Sequence, residues 1–209
     1  MMQNRKDLVS QVIDDITYLV DKYITSDPRK KAFDRFIEKY GERFFSSPAS
    51  SKEEYHESWP GGLAVHSLRV TKILFKLMDA LYNDKWNKED MGMKETLVTI
   101  GLLHDVGKIG DSKNALYEVN KDEWGRGKGF LYNINKKCMA GHHARLSLFI
   151  LQDCGFQLSE EEFQAILYHD GQNLIENQDV KMKEFDLTVL LHFADRWSVQ
   201  ESVDKRKEN

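Results

Sequence analysis

An all-α fold with one irregular insertion is predicted by three features of this chain. Only 3 of its 209 residues are proline, while Lys, Glu and Leu are plentiful. Apolar residues recur at three- and four-residue spacing through most of the length. One stretch, about 115–135, breaks that period and reads as a loop or short β-hairpin. The length suits one domain with a sizeable core, so a single domain over 1–209 is expected, with N-terminal helices over 1–45.

Leu8, Val12, Ile16, Leu19 and Tyr23, with Val9, Ile13 and Val20 beside them, make the first helical stripe. Asp27-Pro28 opens a second helix that carries Phe33, Phe36, Ile37 and Tyr40 and is expected to stop at Gly41. Ser46 to Ser58 reads as a Ser-rich loop, ended by Pro60-Gly61-Gly62. A third helix turns Val70, Ile73, Leu74, Leu77, Met78 and Leu81 inward. His66 lies four residues before Val70 and seven before Ile73, so it extends that buried face.

Leu97 to Asp105 is apolar nearly all round, as a central helix would be, and Gly107 is placed to end it. In the irregular stretch, Tyr117, Val119, Trp124, Phe130 and Tyr132 are interleaved with Gly125, Gly127 and Gly129. Helices are expected again over His143–Gln152 and Glu160–His169, the second with Ser159 and Glu162 in capping-box register. A last helix over about 183–203 aligns Leu187, Leu191 and Asp195. The charge runs Lys88 to Asp90 and Asp204 to Glu208 read as solvated surface and a frayed tail.

Composition narrows the function classes. A net charge of −4 argues against a basic surface for duplex nucleic acid. Cys138 and Cys154 make no disulfide framework, which fits a reducing cytoplasm. No apolar run reaches membrane-spanning length, so no membrane partner is expected.

The chemistry concentrates in histidine and aspartate. An imidazole and a carboxylate side by side at His104-Asp105, at the end of a buried segment, are costly to dehydrate uncompensated. A divalent cation favours neutral imidazole and ionised carboxylate together. His66 and Asp195 also fall on faces expected to be buried, and His143 and His169 begin or end expected helices. Such a set suits Mn, Fe, Co, Ni or Zn better than Ca or Mg, with Mg remaining admissible. One or two ions are expected, two only if a carboxylate such as Asp105 bridges them.

His66, His104-Asp105 and Asp195, in that order, resemble the ligands of HD-domain metal-dependent phosphohydrolases. Pro60-Gly61-Gly62-Leu63-Ala64-Val65-His66-Ser67 is similar to the Gly-Gly-Leu-x-x-His segment of many members. Leu102-Leu103-His104-Asp105-Val106-Gly107-Lys108 resembles the signature motif, and Phe193-Ala194-Asp195-Arg196 the final Ala-Asp-Arg element. The resemblance covers about 55–202 and implies an HD-domain helical bundle. Members with two further histidines between the dyad and the last Asp are generally dinuclear. The resemblance therefore implies six metal ligands, His66, His104, Asp105, His143, His169 and Asp195, with His142 the alternative to His143.

The activity so implied is a metal-activated water attacking a phosphoester, with Asp105 central and Lys108 contacting phosphate or stabilising the leaving group. Arg69 and Arg145 are candidates for the same pocket. His56 and Trp59, with the Tyr117–Tyr132 stretch, are candidates for a rim that stacks a base. The expected partner is a small phosphoester: a nucleotide, cyclic nucleotide or short oligonucleotide. A homo-oligomer is left open, and His192 is expected to be structural or to support a ligand. Two other readings compete, a di-iron oxygenase related to inositol oxygenase and a non-catalytic nucleotide-binding module. Fold resemblance alone does not choose among them.

Overall fold

A helix without a polar face has to be surrounded, and the chain is arranged around one. The computed structural model describes residues 2–82 and 90–207, with side chains described over 5–82 and 90–202. Its elements, in order, are α1 (Met2–Tyr23), α2 (Asp27–Ser46), α3 (Gly62–Tyr82), α4 (Met91–Leu103), β1 (Tyr117–Val119), α5 (Glu123–Gly127), β2 (Tyr132–Ile134), α6 (His143–Cys154), α7 (Glu160–Tyr168) and α8 (Asp186–Lys207). Short 3-10 turns lie at Val106–Ile109 and Ile175–Val180.

Leu97, Val98, Ile100, Leu102 and Leu103 on α4 are all fully buried. Each such burial contributes about 1.5–3 kcal/mol, which makes α4 the axis of the fold. α3 packs along α4, α8 crosses α3 and α7, and α6 lies against the turn that follows α4. One hydrophobic cluster runs from Val12 on α1 to Ala194 on α8. α1 packs on α3 and α4, and α2 on α3 and α6, so the two N-terminal helices cover the same core. Val12 and Ile16 are the residues of the first stripe that are buried, whereas Leu8 and Ile13 stay exposed.

The helix expected to stop at Gly41 continues to Ser46. Phe44 is buried edge-on against Phe36, with ring centroids 5.5 Å apart. Burying that ring outweighs the roughly 1 kcal/mol that a mid-helix glycine costs. Ile37 of the same helix is exposed, and so is Leu81 of α3, expected to turn inward. Gly107 does not terminate α4 either: the helix ends at Leu103, and Gly107 sits in the 3-10 turn beyond it.

The irregular stretch is an antiparallel pair in which Tyr117 faces Ile134 and Val119 faces Tyr132, with α5 between the strands. It is tied to the loop after α2. Leu131 and Tyr132 donate backbone N–H groups to Ser51, and Glu53 to Gly129. The capping box at Ser159 and Glu162 is formed. Glu162 also pairs with Arg29 of α2, whose guanidinium lies 3.5 Å from Glu95 of α4 and donates to the Gln157 carbonyl at 3.0 Å. Of the expected charge runs, Lys88 and Glu89 lie outside the described residues, as do the side chains of Asp204 to Glu208, while Asp90 caps α4.

Candidate metal centre

Five segments bring histidine and aspartate to one point. His66 comes from the first turns of α3, His104 and Asp105 from the end of α4, and His143 from the first residue of α6. His169 and Asp170 follow α7, and Asp195 comes from α8. Local geometry explains each placement. His104 still donates its backbone N–H helically to Ile100, whereas Asp105 leaves the helix at φ −107°, ψ 8°. Gly107 lets α6 approach the following turn, because a Cβ there would lie 2.0 Å from the His143 carbonyl oxygen. Gly171, at φ +85°, reverses the chain after Asp170, and its missing Cβ leaves room for the His192 ring. His192 in turn donates from Nδ1 to the His169 carbonyl at 2.7 Å.

Asp105 sits in the middle with its two oxygens turned to different partners. Oδ2 is 3.4 Å from His66 Nε2 and 3.6 Å from His104 Nε2. Asp195 Oδ1 completes that group at 3.0 and 3.9 Å from the same two nitrogens. Oδ1 of Asp105 lies 3.2 Å from His143 Nε2 and 3.3 Å from His169 Nε2. Asp170 Oδ2 stands 3.1 and 3.4 Å from those nitrogens.

The imidazoles are held with Nε2 toward the centre. His104 Nδ1 donates to the Gly101 carbonyl at 3.0 Å and His169 Nδ1 to the Ile166 carbonyl at 2.7 Å. Ser198 gives its hydroxyl proton to the Asp195 carbonyl, so it accepts from His66 Nδ1 at 3.1 Å. In a neutral ring with Nδ1–H so engaged, Nε2 carries a lone pair. Lone pairs of nitrogen therefore converge on carboxylate oxygens. Asp105 Oδ1 and Asp170 Oδ2 are buried and accept no hydrogen bond from the described residues.

This arrangement fits divalent metal ions. Bonds of about 2.1 Å at tetrahedral or octahedral angles put neighbouring donor atoms about 3.0–3.5 Å apart, close to the separations in this cluster. His and Asp donors suit Mn, Fe, Co, Ni or Zn.

The protein's own charges polarise the site strongly. Burial pushes His104 down to about 3 despite the nearby Asp105 charge. With the protein's charges alone, burial works against protonated His169, but the adjacent Asp105 and Asp170 carboxylates outweigh it and raise it to about 9. Burial would raise Asp105, yet Lys108, His104 and His143 hold it well below the usual carboxylate range. Lys108 Nζ lies 2.6 Å from Asp105 Oδ2, and this pairing outweighs burial and holds the ammonium charged.

A cavity of about 510 Å³ opens over the centre, lined by Tyr55, His56, Asp105, Lys108, His169, Asp170, Asp195 and Arg196 among others. Of the residues expected to touch substrate, Lys108 and His56 are in it. His56 packs its ring 4.6 Å from that of His66, and its buried Nε2 has no hydrogen-bond partner among the described residues. Burial, reinforced by His66 and Lys108, pushes His56 down to about 2, so the ring is neutral.

The structure does not bring Arg69, Arg145 or Trp59 to this cavity. Arg69 is paired with Glu57 at 2.7 Å and Arg145 is exposed. Trp59 lines a separate cavity against α1, beneath the Arg5 guanidinium. Of the 117–132 stretch, Tyr117 comes near Lys108 and Asp105 without lining the cavity over the centre, and Tyr55 is the tyrosine in its wall. His142 Nε2 lies 3.8 Å from Asp170 and groups with Asp170 and His143, whereas His143 itself faces Asp105. Sequence reasoning did not single out Asp170, Tyr55 or Arg196 as site residues. For Asp170 and Arg196 the available signal was adjacency to His169 and Asp195.

The HD domain family model matches residues 63–198. No curated protein and no solved structure matches the chain. Among the described residues, no helix is long and apolar enough to cross a membrane.

Proposed function

We infer that this chain, which belongs to the HD-domain family of metal-dependent phosphohydrolases, hydrolyses a phosphoester in the cavity above Asp105. The observation that carries this reading is the division of the Asp105 carboxylate, one oxygen toward His66 and His104 and the other toward His143 and His169. A bridging carboxylate is what a dinuclear site requires. In this reading His66, His104, Asp105 and Asp195 hold one ion, and His143, His169 and Asp105 take part in holding a second. Divalent ions in such a site lower the pKa of bound water and offset charge on phosphoryl oxygens.

The remaining roles fall to the lining. Lys108 keeps its proton beside Asp105, so it supplies a fixed positive charge to a phosphoryl oxygen or the departing alkoxide. Arg196 adds a second cation at the wall. Neutral His56 offers a polar contact to the substrate, while Tyr55, Leu174 and Val199 give an apolar edge for its organic part. The cavity is of a size that takes a small ligand. A nucleotide, cyclic nucleotide or short oligonucleotide end matches a site with cations, a stacking tyrosine and a net negative protein outside it. α1 and α2 share the core of the HD domain and belong with it.

A mass-spectrometric hydrolysis screen of nucleotides, cyclic nucleotides, short oligonucleotides and generic phosphoesters with Mn²⁺ tests the reading, with Asp105→Ala in parallel. Turnover by the parent chain and none by the variant is expected, and the product identifies the bond cut. Folded, metal-loaded protein that turns over nothing in the panel would overturn it.

A further inference from the structure

We propose that Asp170 is a terminal ligand of the second ion, giving each ion two imidazoles, one oxygen of Asp105 and one carboxylate of its own. This assignment rests on the dinuclear reading of the site. The two halves match donor for donor: His66, His104 and Asp195 around Oδ2, and His143, His169 and Asp170 around Oδ1.

His169 spends its Nδ1–H on the Ile166 carbonyl at 2.7 Å. With Nδ1–H so engaged, a neutral His169 turns its Nε2 lone pair toward Asp170 Oδ2 at 3.4 Å and Asp105 Oδ1 at 3.3 Å. His143 Nε2 stands within 3.3 Å of His169 Nε2 as well. Two ring nitrogens and two carboxylate oxygens thus crowd one point, and a cation among them relieves the repulsion of the oxygens and lone pairs.

Asp170 Oδ2 is buried and accepts no hydrogen bond from the described residues, which sets it apart from a supporting carboxylate that receives the Nδ1–H of a ligand histidine. The chain also fixes its direction. Gly171 turns at φ +85°, and its carbonyl is held by Asn177 Nδ2 at 3.0 Å. The His169 carbonyl is held by His192.

Three carboxylates against two divalent ions leave a charge of about +1, to which Lys108 adds one, a balance suited to an anionic phosphoester.

Equilibrium dialysis against Mn²⁺ with elemental analysis, followed by a Co²⁺ absorption titration, tests the assignment without reference to activity. The parent chain should hold two ions per molecule and Asp170→Asn one. The affinity for the second ion should fall by more than about 100-fold, beyond what loss of a merely supporting partner costs. Asp170→Glu, which keeps the carboxylate, should retain two. Circular dichroism in chelator establishes that each variant is folded, and Asp170→Ser replaces Asp170→Asn if the latter is not. Two ions at unchanged affinity in folded Asp170→Asn or Asp170→Ser would overturn the assignment and leave the dinuclear reading standing. One ion or none in the parent chain would overturn both.

Discussion

Gly107 and His143 meet so closely that no side chain fits between them. A Cβ on Gly107 would lie 2.0 Å from the His143 carbonyl oxygen and 2.7 Å from the Ser147 backbone nitrogen. The contact is reinforced by a hydrogen bond from Gly107 N–H to Ser147 Oγ at 2.8 Å. The turn carrying Lys108 and the helix carrying His143 are thus held at backbone distance.

Gly107→Ala must push α6 outward. Overpacking of this kind costs about 1–3 kcal/mol, which for a chain of this size lowers the melting temperature by about 2–12 °C. The movement also draws His143 away from Asp105. Differential scanning calorimetry and metal analysis should therefore show lowered stability together with loss of one ion. A variant as stable and as metal-rich as the parent would mean that the α6 contact is not needed to assemble the site.

Arg29 lies between two acidic side chains, Glu95 on α4 and Glu162 on α7, and all three are largely buried. Removing the guanidinium leaves two carboxylates without their cation, for which about 3–5 kcal/mol is expected. Ser159→Ala removes only the side-chain cap of α7 and should cost about 1 kcal/mol. Urea denaturation of Arg29→Ala and Ser159→Ala checks the ranking. Equal effects would show that the ion network contributes no more than the cap.

Asp111 organises the segment between the 3-10 turn after α4 and β1. Its Oδ1 accepts backbone N–H groups from Lys113 and Asn114 at 2.7 Å each, and Oδ2 accepts that of Met139 at 2.7 Å. These bonds, that from Lys113 foremost, outweigh desolvation and hold the carboxyl below the usual carboxylate range. A carboxyl lowered on folding contributes stability that is present above its unfolded pKa, about 4. That contribution is lost as pH falls toward the folded value. Unfolding free energies measured from pH 6 to pH 2 should fall less steeply for Asp111→Asn than for the parent. Parallel curves would remove Asp111 from the acid response.

Much of this architecture is written in local spacing. The stripe through Val70, Ile73 and Leu74 placed His66 on a buried face, and it is buried on α3. The apolar run before His104 implied a surrounded helix, and Ser159 with Glu162 implied a cap that is present. Other features were not local enough to read. Arg29 and Glu162 are 133 positions apart, so no periodicity links them. Asp170 follows the end of α7, where side-chain direction depends on the turn at Gly171 and on Asn177 and His192 rather than on helical phase. Arg69 lies within a turn of His66, yet Glu57 from the preceding loop captures its guanidinium.

Ser198 controls the orientation of His66 without a place among the proposed metal donors. Its hydroxyl donates to the Asp195 carbonyl at 2.8 Å and accepts from His66 Nδ1 at 3.1 Å. One side chain thus couples α8 to the imidazole whose Nε2 faces Asp105 and Asp195. In Ser198→Ala the buried Nδ1–H has no acceptor, a loss of about 1–3 kcal/mol. His66 can then carry its proton on Nε2, where it blocks a metal. Loss of such a supporting partner lowers metal affinity by about 10–100-fold, here for the ion near His66 and His104. Ser198→Thr keeps the hydroxyl and should restore much of the affinity. Ser147→Ala provides the contrast: Ser147 bonds the Gly107 N–H and the His143 carbonyl but no imidazole. It should lower the melting temperature while leaving Mn²⁺ affinity near His66 intact. Calorimetric Mn²⁺ titrations of the three variants separate the cases. Equal affinities in Ser198→Ala and Ser147→Ala would show that His66 keeps its tautomer without the serine.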